Sequence, residues 1–287
     1  MTRLDVKKTY KLYIGGKFPR SESGHTLAVS TPKGSHLAHV AQASRKDARD
    51  AVSAARSAQS GWAGATSYNR GQVLYRIAEM LEGRREQFVA EIRASEGVSA
   101  RTATTQVDRA IDEWVWFAGW ADKYAQLSGQ ANPVAGPYFN LSVPEPSGVM
   151  VAYASADQTG QSLLGVVHAL APAVVSGNAV VLIAHPDQPL PAMSFAEVLN
   201  SSDVPGGVVN MLTGVREPAA MWLAEHADVN CLDLSGATEL DWASLQAAGA
   251  ETLKRVITPV TAPAPHSLER IRAFTEVKTI WHTKALG

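Results

Sequence analysis

Cysteine is nearly missing from this chain: Cys231 is the only one in 287 residues. A disulfide scaffold is therefore excluded, and a reducing, cytoplasmic setting is expected. Net charge is missing too, at −1 with 26 basic and 27 acidic residues, so neither nucleic acid nor an anionic membrane is an expected partner. No apolar run reaches the roughly 18 residues of a membrane span, and the opening MTRLDVKKTYKLYIGGK holds no apolar stretch of a secretory signal. The common reaction motifs are absent as well: no P-loop, no G-x-S-x-G, and no G-x-G-x-x-G after an apolar strand. The histidines at 25, 36, 39, 168, 185, 226, 266 and 282 have neither H-x-x-x-H nor E-x-x-H spacing, so no metal site is expected.

What is present is a globular composition, 46% hydrophobic and 18% charged, long enough for one large domain or two ordinary ones. Residues 10–42 read as short strands punctuated by Gly and Pro. Ser44 with Asp47 three positions on resembles a capping box opening a helix, and helical stretches follow near 67–82, 83–96 and 100–127. In the last of these Trp114, Phe117, Trp120 and Tyr124 recur at helical spacing, which fits a core face better than a ligand box. The rhythm then changes. Apolar strands near 148–154, 179–184, 207–212, 229–234 and 253–258 alternate with helical stretches around 162–175, 189–200, 217–226 and 238–250. Short strands without polar alternation, each followed by a helix, specify a five-stranded parallel sheet covered on both faces, an α/β doubly wound, Rossmann-like fold.

Candidate chemistry is sparse. The segments VPGGVVNMLTG and DLSGATEL put glycines at strand ends, where turn glycines are commonest. Ser235, Gly236 and Thr238 could open a helix against a phosphate or serve only as a cap. Cys231 lies inside the apolar VNCLDL, which fits a small core residue rather than a nucleophile.

The order of segments resembles the aldehyde dehydrogenase superfamily nearly end to end. YIGGKF, DARDAVSAARSAQSGWAG and FAGWADKYAQLSGQ are similar to its N-terminal segment, while EPSGVMVAYA, LAPAVVSGNAVVL, DVPGGVVNMLTG and LSGATEL are similar to its cofactor domain. LKRV resembles the strand leading to the family's general-base Glu, and FTEVKTIW resembles its last strand. The resemblance implies an NAD(P)-binding-type α/β domain over 1–126 and 149–258. It also implies an oligomerisation β-flap over 127–148 and 266–287. A linker at 259–265 stands where a whole catalytic domain, with its nucleophilic Cys, is expected.

The departures fall on the chemistry. ASADQTGQS stands where the family places its oxyanion Asn, with Asp157 the nearest approximation. Ile183 and Pro186 replace the two polar ribose contacts, Asp241 replaces a closing Gly near the diphosphate, and Pro259 stands in the register of the base. Proline neither accepts a proton nor continues a central strand. The resemblance thus implies no catalytic residue and no bound cofactor, or at most weak NAD(P) binding at a vestigial site of Gly214, Ser235, Gly236, Thr238 and Glu239. It implies partner contacts through the flap at Tyr138, Phe139, Leu141, Val143, Phe274, Val277, Ile280 and Trp281. Three functions stay open: a pseudoenzyme subunit that assembles with an active aldehyde dehydrogenase or with itself, an oxidoreductase with relocated chemistry, and an NAD(P) sensor without turnover.

Overall fold

The computed structural model describes residues 6–156 and 161–284, so Asp157 lies outside the described residues. The chain begins with β1 (Thr9–Tyr10), β2 (Thr26–Ser30) and β3 (His36–Ala41), a small sheet in the order β1-β3-β2. Five helices follow: α1 (Arg45–Gly64), α2 (Ser67–Glu82), α3 (Arg85–Glu96), α4 (Ala100–Trp120) and α5 (Tyr124–Ser128). The expected capping box is present: Asp47 N–H donates to the Ser44 hydroxyl, and Ser44 N–H donates back to the Asp47 carboxylate. The helical stretch expected to run to 127 breaks at Trp120. Tyr124 turns inward there, its hydroxyl 3.0 Å from that of Thr275.

β4 (Gln130–Asn132) and β5 (Tyr138–Pro146) form a hairpin. Next comes the α/β unit: β6 (Val149–Tyr153), α6 (Ser162–Val175), β7 (Ala179–Ile183), α7 (Leu190–Asn200), β8 (Val209–Leu212), α8 (Glu217–Glu225), β9 (Cys231–Asp233), α9 (Trp242–Ala250) and β10 (Arg255–Ile257). Its strands are parallel throughout, in the order β10-β9-β6-β7-β8. Alternate residues of one strand serve two separate cores, as the two-residue strand period requires. Met150, Ala152, Val180 and Leu182 pack among α2, α3, α4, α6 and α7; Val149, Val151, Val181 and Ile183 pack against α1, α8 and α9. The outer edge of β8 is covered by Tyr13, which exchanges two backbone hydrogen bonds with Met211.

After β10 the chain turns at Thr258–Thr261, with Pro259 in the second position, and reaches α10 (Leu268–Arg272) and β11 (Thr275–Thr283). β11 pairs antiparallel with β5 along its whole length, giving a three-stranded flap in the order β11-β5-β4. Arg255 of β10 binds Glu276 of β11 at 2.8 Å, and the Asn178 amide donates to the Phe274 carbonyl at 2.9 Å. These contacts fix the flap to the end of the α/β unit. Among the described residues no helix is long and apolar enough to cross a membrane.

Candidate functional site

In an open parallel sheet the ligand crevice lies at the carboxyl ends of the strands, where the strand order reverses. Here that point is between β6 and β9. Much of it is occupied by the chain itself. Arg216, two residues past Gly214, is 2% exposed and lies across the strand ends. Its Nε donates to the Ala184 carbonyl at 3.2 Å. Nη1 donates to the Gly236 carbonyl at 2.9 Å and to Glu239 Oε1 at 2.8 Å. Nη2 donates to the carbonyls of Ala154 and, at 3.5 Å, Ile183. A guanidinium has five N–H donors, and each has an acceptor within the protein, so none is left for a phosphate.

The two helix N-termini beside this point are also occupied from within. A helix N-terminus attracts an anion through its free N–H groups and its dipole. At α6 that anion is Glu96: its carboxylate accepts from the N–H groups of Gln161 and Ser162 at 3.3 and 3.0 Å, while the Gln106 side chain accepts from Leu163 N–H at 2.9 Å. At α9 it is Asp241, which accepts from Ser244 N–H at 3.2 Å and from the Ser244 hydroxyl at 2.6 Å. These bonds hold the Asp241 carboxyl below the usual carboxylate range. The helix expected from 238 therefore starts at 242, and residues 235–240 form turns instead.

Gly236 shows how closely the turn after β9 approaches β6. A Cβ at this position would lie 2.0 Å from the Tyr153 carbonyl oxygen and 2.7 Å from Ser155 N. The glycine is needed for close backbone packing of the β9 turn on β6. Of the other residues expected to form a vestigial site, Ser235 donates to Asp233 Oδ1 at 2.7 Å, Glu239 pairs with Arg216, and Thr238 faces solvent. Gly214 stands apart from them beyond β8, at the sheet edge against the Gln42 side chain, with φ +127°. These residues do not fit a dinucleotide. Titration with millimolar NAD should leave the melting temperature unchanged, whereas a ligand at 100 times its Kd stabilises a protein by about 2.7 kcal/mol. A clear rise would mean that the crevice opens. Cys231 is fully buried in β9 and burial pushes its thiol far above the usual range, as fits a core residue.

Three further polar groups at this end of the sheet were not evident from the sequence. Asp233 is fully buried and pairs with Arg270 of α10, itself almost fully buried. One acid inside the otherwise apolar stretch 231–234 was the available signal, since a buried carboxylate requires a cationic partner. Glu113 on α4, nearly buried, has a carboxylate oxygen 2.9 Å from His266 Nδ1 and the other 3.7 Å from His168 Nε2. Burial opposes its ionisation, but the two imidazoles outweigh that and hold its carboxyl below the ordinary value. His266 also packs on Trp116, with ring centroids 4.2 Å apart, and so anchors the 259–265 segment to the helical layer. Among the described residues no cluster of three or more His, Cys, Asp or Glu side chains could hold a metal.

The flap register divides the expected partner contacts between two faces. Tyr138, Val277 and Trp281 share one face, Tyr138 and Trp281 with ring centroids 5.8 Å apart; Phe139, Leu141, Val143 and Ile280 share the other. Trp281 is 59% and Val277 65% exposed, so the first face carries the larger uncovered apolar groups. Phe274 departs from expectation: it precedes β11, is fully buried in the core and lies beneath Arg270, whose Cζ is 4.8 Å from its ring centroid. It closes the core under α10 and is unavailable to a partner.

Comparison with known proteins places this geometry in a family. The aldehyde dehydrogenase family pattern matches residues 18–266. Mitochondrial aldehyde dehydrogenase of Rattus norvegicus is 30% identical over 212 residues, 71% of this chain and 38% of that protein. Cytosolic 10-formyltetrahydrofolate dehydrogenase of Mus musculus is 30% identical over 272 residues, 92% of this chain and 29% of that protein. The solved NAD-dependent aldehyde dehydrogenase of Sinorhizobium meliloti superposes with a TM-score of 0.78 at 26% identity, covering 88% of this chain and 50% of that one. The chain thus spans half or less of the length of these relatives. With the family pattern running through most of its length and the same α/β architecture, the chain belongs to the aldehyde dehydrogenase family.

Proposed function

We propose that this chain is a non-catalytic aldehyde dehydrogenase-like subunit, cytoplasmic, that docks through its β-flap on an active member of the family and supports or regulates it. The observation that carries this reading is Arg216: the guanidinium that ties the strand ends together is buried and saturated, so it offers no donor to the diphosphate of the cofactor that aldehyde oxidation needs. Glu96 and Asp241 at the flanking helix N-termini support it, as does Pro259 in the register where the resemblance places the general base.

The flap supports the second half of the reading. β11 is an edge strand of nine residues, its outer hydrogen-bonding side unpaired among the described residues, and such edges recruit another chain. Val277, Trp281 and Tyr138 beside that edge supply the apolar anchor expected at the centre of an interface. A second copy of this chain could use the same edge, as a homo-oligomer.

Co-expression with a full-length family member, followed by affinity capture and size exclusion, tests the proposal. A stable mixed complex is expected, and the double variant Val277→Ser, Trp281→Ser should weaken it by at least about tenfold, because central aromatic anchors commonly contribute 2 kcal/mol or more. The variant should remain folded, since both side chains face outward. A homodimer indifferent to the active homologue, or aldehyde oxidation by this chain alone, would sink the reading.

A further inference from the structure

A depression of about 320 Å³ lies between the small N-terminal sheet and the segment 20–25 that leads into β2. None of its lining residues belongs to the strand-end crevice or to the flap. We infer that it binds a phosphate dianion, free or as the end of a small phosphomonoester.

Strand register turns the lining side chains inward. On β1 the Tyr10 hydroxyl reaches Glu91 at 3.1 Å, so Thr9, and Lys11 one step past the strand, face the opposite way. Thr9 pairs with His39 of β3, and Thr26 of β2 pairs with Ala41 two positions further on, so Thr9, Ala41 and Thr26 share one face. These three and Lys11 all line the depression, with Ala41, almost fully buried, as its floor. A methyl group on the central strand leaves the space that a longer side chain would fill.

Charge identifies the ligand. Lys11 and Arg20 both line the depression, and His25 is a third basic residue in its wall. All three are exposed, so a ligand can reach them, and none of their side chains has a hydrogen-bond or ion-pair partner among the described residues. No Asp or Glu lines the depression. The adjoining acids are committed to the start of α1: Glu22 accepts from the Ser44 hydroxyl at 3.0 Å, and Asp47 from the Ser44 N–H at 2.8 Å and the Ser21 hydroxyl at 2.7 Å. Two unpaired permanent cations on one concave surface repel each other, and an anion held between them relieves that. A phosphate near its second ionisation carries close to two charges and three acceptor oxygens, which suit the Arg20 fork, the Lys11 ammonium and the hydroxyls of Thr9 and Thr26. A carboxylate would offset only one of the two cations. The volume stands at the lower end of the roughly 300–1,000 Å³ of small-molecule pockets, which leaves room over Ala41 and Gly24 for a short organic body.

Calorimetric titration of the full chain at low ionic strength, where exposed charges are least screened, tests this with inorganic phosphate, glycerol 3-phosphate and acetate. Saturable binding of both phosphates is expected, with acetate at least about tenfold weaker. Tighter binding of the ester than of inorganic phosphate would support a site that also holds the organic body; equal binding would support a site for the phosphate alone. Arg20→Gln and Lys11→Gln should each weaken phosphate binding by about 10- to 100-fold, the range that loss of a charged hydrogen bond produces. Both replace exposed side chains, so the circular dichroism spectrum should not change. Lys33→Gln removes the same charge from an exposed position in the turn between β2 and β3, and should leave binding as it was. Equal weakening by Lys33→Gln would mean a diffuse surface field in place of a site. That result, acetate binding as tightly as phosphate, or no saturation by either phosphate would overturn the proposal.

Discussion

Replacing Arg216 by Met should destabilise the chain by about 3–5 kcal/mol, among the largest losses expected of any single substitution outside the apolar core. The residue is tied to carbonyls at the ends of β6 and β7 and to the turn after β9, so one side chain holds three parallel strands in register at their open end. Methionine keeps most of the apolar stem and removes every donor, leaving buried carbonyls unmatched at about 1–3 kcal/mol each before relaxation. Glu239 provides the internal control. It is 41% exposed, so Glu239→Ala should cost no more than about 1 kcal/mol, as surface pairs do. Urea unfolding with an unchanged m-value measures both. A loss under about 1 kcal/mol for Arg216→Met would mean that water replaces the guanidinium easily, and the crevice would then count as open.

The second large effect concerns Asp233 and Arg270. Asp233→Ala should cost about 3–5 kcal/mol, because it strands a buried guanidinium whose remaining hydrogen bond is to the Ser235 hydroxyl. The double substitution Asp233→Leu, Arg270→Leu should recover most of that loss, since paired buried charges exchange for apolar groups at little net change. A double-mutant cycle by the same urea titration reads the coupling. If Asp233→Ala alone proves mild, the ion pair does not hold α10 against the sheet. The two arginines therefore differ in kind: Arg216 is lost with its backbone acceptors, Arg270 with its counter-ion.

Much of this architecture was legible in the residues. AVVLI and GVMVAYA have no polar alternation, and strands of that kind must be buried on both faces; β6 and β7 supply two cores accordingly. Ser44 and Asp47 announced the start of α1 because a capping box is local chemistry. The elements that departed from expectation did so where distant contacts overrule local preference. Tyr124 breaks α4 to reach Thr275, and the Arg216 bonds at Gly236 and Glu239 accompany turns where a helix start was expected. Arg216 was invisible in the sequence because its partners at 154, 184 and 236 become neighbours only once the strand order is known. The flap was legible as two strands, but the division of its apolar residues between two faces required the pairing register.

That flap sets the order of events when the chain is made. Ser142 and Thr279, joined across β5 and β11 at 3.0 Å, are 137 positions apart. Pairings between such distant residues form late, because loop closure has to precede the contact. On a ribosome the β4–β5 hairpin emerges first and waits, its inner edge bare, while the α/β unit from β6 to β10 is synthesised and folds. During that interval the open strand is β5, and only the arrival of β11 covers it and moves the open edge outward. A nascent chain stalled before Thr275 would therefore present a different sticky edge from the finished protein, one prone to self-association. β11 is in this sense a seal for β5.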